Sequence, residues 1–86
     1  MASYSILLTR SAAKELERVP TKDRQRIVAR IGALAENPRP VGVEKLNGDE
    51  KYRLRQGDYR ILYAIVDVEL IVTVVRVGNR REVYRR

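Results

Sequence analysis

The run Asn37-Pro38-Arg39-Pro40 cuts the chain into two stretches with different periodicities. A residue before proline is pushed out of the helical region, so no helix runs through this point. Upstream, Ala12, Ala13, Leu16 and Val19 recur at the three- and four-residue spacings of one helix face. After Pro20-Thr21, which can stop one helix and start another, Ile27, Val28, Ile31, Leu34 and Ala35 repeat the pattern. The short connection predicts an antiparallel helix hairpin over Arg10–Val19 and Thr21–Glu36, preceded by a strand at Tyr4–Thr9.

Downstream the pattern changes to that of strands. Val41–Lys51 predicts a polar loop anchored by Leu46. Tyr52–Arg55, Tyr59–Val66 and Leu70–Val77 read as strands joined by turns at Gln56-Gly57-Asp58 and Asp67–Glu69. The β-branched stretch Leu70–Val77 is expected inside the sheet. A strand, a helix pair and a three-stranded antiparallel meander make an α+β domain with a small four-stranded sheet. The helices would cover one sheet face and leave the other partly open.

Eighty-six residues allow one domain, here 1–86. With 44% hydrophobic residues but no Trp, Phe or Cys, the core must come from Ile, Val, Leu, Ala and Tyr. Disulfide staples are excluded, so packing or a partner must hold the fold. Met1-Ala2-Ser3-Tyr4 lacks the basic start and apolar stretch of a secretion signal, and no apolar run is long enough to span a bilayer. A cytoplasmic location without a membrane partner is expected.

The formal net charge of +7 is uneven. Residues 51–86 hold nine basic side chains, eight of them Arg, against four acids; residues 1–50 hold nine against seven. Strands prefer β-branched and aromatic residues, so alternating arginine and tyrosine on strands needs a reason. Arginines on neighbouring strands can fork onto phosphates, and tyrosines beside them can stack on bases. Arg53, Arg55 and Arg76 are expected on the open sheet face, with Tyr52, Arg76 and Arg81 as RNA contacts. The basic cluster Lys22–Arg30 on the second helix reads as a solvated face.

The chain has no histidine and no cysteine, which excludes histidine acid–base chemistry and thiol nucleophiles. Its acids are scattered, no metal site is suggested, and there is no phosphate-cradling glycine loop. RNA cleavage tolerates this poverty. The 2′-hydroxyl is an internal nucleophile, so the protein mainly positions the strand and offsets growing negative charge.

The segments Tyr52-Arg53-Leu54-Arg55, Tyr59-Arg60-Ile61-Leu62-Tyr63 and Val77-Gly78-Asn79-Arg80-Arg81-Glu82-Val83-Tyr84 resemble the RelE toxins of toxin–antitoxin pairs, within the RelE/ParE superfamily. Leu16-Glu17-Arg18-Val19-Pro20 and Asn37-Pro38 are also similar, so the resemblance covers essentially the whole chain. It implies a toxin that enters the ribosomal A site and cuts messenger RNA without a cofactor. The catalytic residues it implies are Arg53, Arg55, Arg60, Arg80 and Tyr84. Arg53 and Arg55 would face the 2′-hydroxyl and backbone, Arg60 the scissile phosphate, Arg80 the leaving group, and Tyr84 the base. It also implies an acidic antitoxin as partner, with operator DNA reached only through the toxin–antitoxin complex.

Two positions depart from the family. Lysines, one thought to act as base, stand at positions 53 and 55 in well-known RelE toxins. Arginine stays protonated and can only clamp charge. Many relatives carry histidine at Asn79. The alternatives are a ParE-like gyrase inhibitor and a catalytically weakened binding module of the same fold.

Overall fold

A computed structural model describes residues 3–46 and 50–79. Strand β1 (Ser5–Leu8) leads into helices α1 (Arg10–Glu17) and α2 (Thr21–Ala33), followed by β2 (Glu44–Lys45), β3 (Lys51–Gln56), β4 (Tyr59–Val66) and β5 (Ile71–Asn79). The sheet order is β1-β5-β4-β3-β2. β1 runs parallel to β5, while β2 to β5 pair antiparallel. The α+β class, helix pair and meander match the sequence expectation. The sheet gains a fifth strand where a loop was expected, because Glu44 and Lys45 pair with Arg53 and Tyr52.

Local chemistry sets the boundaries. Thr9 caps α1 by accepting the Ala12 amide at 3.1 Å. Pro20 precedes α2 and makes no side-chain cap, leaving Thr21 as its first residue. Gly57 (φ +60°) supplies the positive φ of the tight β3–β4 turn. Leu70 also has positive φ (56°), so β5 begins one residue later than the apolar pattern suggested.

The core joins Ala12, Val19, Ile27, Ile31 and Leu34 from the helical half to Leu54, Ile61, Tyr63, Val72, Val74 and Val77 from the sheet. Val28 is half-exposed, because a helix turns it about 100° away from Ile27. Val43 rather than Leu46 packs against this core; the Leu46 amide donates to the Lys51 carbonyl at the β2–β3 turn.

A bulge in β5 decides which side chains share a face. Leu62 pairs with Arg76 and Tyr63 with Val74, so Val75 is an extra residue. Val74 and Val77 both reach the core despite their odd spacing. Arg53, Arg55, Arg60 and Leu62 fall on the opposite face.

Candidate functional site on the open sheet face

Arg55 lies directly across from Arg60 on β3 and β4. Like charges at such positions repel and destabilise a sheet. Neither makes an ion pair with a carboxylate among the described residues. Arg55 is exposed, whereas Arg60 is 5% exposed and its Nε has no hydrogen-bond partner. Its one side-chain hydrogen bond among the described residues is a long 3.5 Å donation from a terminal nitrogen to the Tyr59 carbonyl. A buried guanidinium with unspent donors is costly unless an anion completes it.

Arg53 flanks this pair and is differently placed. Glu44 on β2 is its register partner, and Glu44 Oε1 accepts from Arg53 Nε at 3.1 Å and from a terminal nitrogen at 2.9 Å. Glu44 Oε2 accepts nothing among the described residues. The bonded Arg53 guanidinium, reinforced at longer range by Arg55 and Arg60, holds the Glu44 carboxyl below the usual carboxylate range. Three arginines therefore bear on one ionised carboxylate. Glu44 was absent from the sequence-derived site; the available signal was an acid near the start of an arginine-rich half.

Two expected contacts are engaged by other protein groups. Arg76 Nε donates to Glu15 Oε2 of α1 at 2.9 Å, at the outer edge of β5. Tyr52 faces the helices, stacked on buried Tyr63 with centroids 5.8 Å apart. Its hydroxyl accepts from Arg39 Nε at 3.2 Å, and Arg39 forks onto Asp67, which also accepts from the Tyr4 hydroxyl. This chain of bonds ties the loop after α2 to the β4–β5 turn. The structure thus brings Arg53, Arg55 and Arg60 together; Arg76, register partner of Leu62, shares their face but its guanidinium is held by Glu15, and Tyr52 lies on the other face. Arg80, Arg81 and Tyr84 lie outside the described residues.

No group of three or more acidic side chains gathers to hold a metal ion among the described residues. No described helix is long and apolar enough to cross a membrane.

Comparison with known proteins places this chain in a family. The model for the ParE toxin of type II toxin–antitoxin systems matches residues 6–84. The toxin RelE of Mycobacterium tuberculosis is 34% identical over 84 residues, covering 95% of this chain and 87% of that protein. The mRNA interferase toxin RelE of Escherichia coli is 30% identical, covering 95% and 90%. The RelBE2 toxin–antitoxin complex from M. tuberculosis superposes with a TM-score of 0.82 at 28% identity, covering 92% of this chain and all of that one. The chain belongs to the RelE/ParE superfamily of toxins from type II toxin–antitoxin systems.

Proposed function

We propose that this toxin is a metal-independent endoribonuclease that cuts messenger RNA on the ribosome. The observation that carries the reading is the Arg55–Arg60 pair: facing cations, one buried with a partnerless Nε, and no carboxylate on either among the described residues. Such a pair suits the charge of a phosphate and, more so, the extra charge of its transition state. The E. coli relative named an mRNA interferase supports the same chemistry.

In the proposed reaction the 2′-oxygen attacks the adjacent phosphorus while the 5′-oxygen of the next nucleotide leaves. A 2′,3′-cyclic phosphate and a 5′-hydroxyl end result. Arg55 and Arg60 fork onto the non-bridging oxygens. The 2′-proton needs an acceptor, and arginine cannot serve. Glu44 can: it is ionised, Arg53 fixes it through Oε1, and Oε2 has no donor among the described residues. Family resemblance adds Arg80 at the leaving group and Tyr84 against the base. An acidic antitoxin would mask this face, in keeping with the antitoxin complexes among related structures, and would supply the contact with operator DNA.

The ParE family match keeps gyrase inhibition as a second reading. One experiment separates them. Purified protein is added to a translation extract and message ends are mapped by primer extension, with a gyrase supercoiling assay in parallel. Codon-positioned cuts that vanish in Arg60→Ala are expected. Intact message together with blocked supercoiling would overturn the nuclease reading.

A further inference from the structure

Lys22, Arg26 and Arg30 stand four residues apart on α2 and form one line about 12 Å long down its flank. Like charges at this spacing destabilise a helix. Arg24 donates to the Glu17 carbonyl, and Arg39, Arg53 and Arg76 each hold a carboxylate. The three stripe residues make no hydrogen bond or ion pair among the described residues, not even with Asp23, the single acid of α2. Lys22 and Arg26 are exposed, while Arg30 is half-buried with a desolvated Nε that finds no acceptor.

The stripe's direction is fixed by its neighbours. Ile27, Ile31 and Leu34 face the core, and Arg24 reaches back to the end of α1 from the other flank. Arg30 lies near enough to Tyr63 to act on its hydroxyl, as does Arg39. The line therefore runs along the flank opposite Arg24. It lies on the helix-covered side, across the sheet from Arg55 and Arg60.

We propose that this flank is a second RNA contact, a rail for the sugar–phosphate backbone of duplex RNA. The inference rests on the reading that the protein acts on RNA, and adds a surface separate from the cleavage site. Gln25, Ala29 and Ala33 border the line, so no aromatic ring is offered for base stacking. That composition suits backbone contact without sequence reading and does not suit an unpaired strand. The flank therefore grips a folded RNA while the open face works on the single strand.

The test is a salt series of anisotropy titrations with a fluorescent short RNA duplex and with one of its strands alone. Wild type is compared with Lys22→Gln/Arg26→Gln and with Arg10→Gln/Lys14→Gln, which removes the same charge from α1. The stripe variant should lose duplex affinity severalfold, and its slope of log affinity against log salt should shrink by about two. Each single substitution should give about half the slope change, so the result does not depend on the double variant. The α1 control should keep affinity and slope. A stripe variant that binds like wild type overturns the proposal. So does an equal loss in the α1 control, a loss confined to the single strand, or a loss of affinity for the acidic antitoxin with duplex binding intact. Because cleavage is not read, duplex binding through the stripe by a protein that leaves message intact would sink the nuclease reading alone.

Discussion

Glu44 and Arg53 face each other across β2 and β3, and one carboxylate oxygen takes two arginine donors while the other accepts nothing among the described residues. Glu44→Gln keeps an acceptor for Arg53 but removes the proton acceptor. The cleavage rate should fall roughly 10²-fold or more, with affinity for a message carrying a 2′-deoxy block unchanged. The wild-type rate should decline only at acid pH, because the depressed carboxyl stays ionised until then. The variant should lack that limb. An unaltered rate and profile in single-turnover assays would remove Glu44 from the mechanism.

Arg60 should show stability and activity moving in opposite directions. Its guanidinium is buried, faces another cation and leaves Nε unsatisfied. Arg60→Met should stabilise the free protein by about 1 kcal/mol, since removing an uncompensated buried charge is favourable, and cut the reaction about 10²-fold or more. Thermal melts and cleavage assays on one preparation check both. A variant that is both less stable and fully active would contradict the assigned role.

The sequence made the open arginine face legible through simple alternation. Arg53 and Arg55 flank Leu54, and Arg60 precedes Ile61, so once Leu54 and Ile61 go inward the arginines must go outward. The helix pair was equally plain, because proline breaks and a 3.6-residue period are local signals. What stayed hidden depends on partners distant in the chain. β2 is two residues long, too short to show alternation, and its register partner Arg53 stands nine positions further on. The fate of Arg76 was unreadable because Glu15, 61 positions away, captures it. Tyr52 looked like a stacking platform beside Arg53, yet the same alternation that exposes Arg53 turns Tyr52 toward Tyr63.

Glu15 supplies a further prediction. β1 pairs with β5 only as far as Val74, and beyond that point side chains do the work of a strand. Thr9 Oγ1 donates to the Val75 carbonyl at 3.3 Å, and Glu15 Oε1 accepts the Val77 amide at 2.8 Å. Glu15→Ala would strand that amide and Arg76 together, costing about 2 kcal/mol and lowering the Tm by roughly 10 °C. Glu15→Gln, which retains an acceptor, should lose less. Equal Tm values for Glu15→Ala and wild type would show that the edge is satisfied some other way.

Tyr63 should set the alkaline limit of stability. It is fully buried, its hydroxyl donates to the Pro38 carbonyl at 2.7 Å, and burial pushes its pKa up to about 12. The folded state holds this proton more tightly than the unfolded chain, whose tyrosine titrates near 10. Its contribution is therefore intact below pH about 10 and is lost as pH rises from there through about 12. Tyr63→Phe removes the titration and the hydrogen bond together. At neutral pH the variant should be about 1 kcal/mol less stable. Above pH 10 its curve should fall less steeply than wild type, and the two should converge. Denaturant midpoints measured from pH 7 to 11 test this. Parallel curves throughout would show that Tyr63 does not carry the alkaline loss.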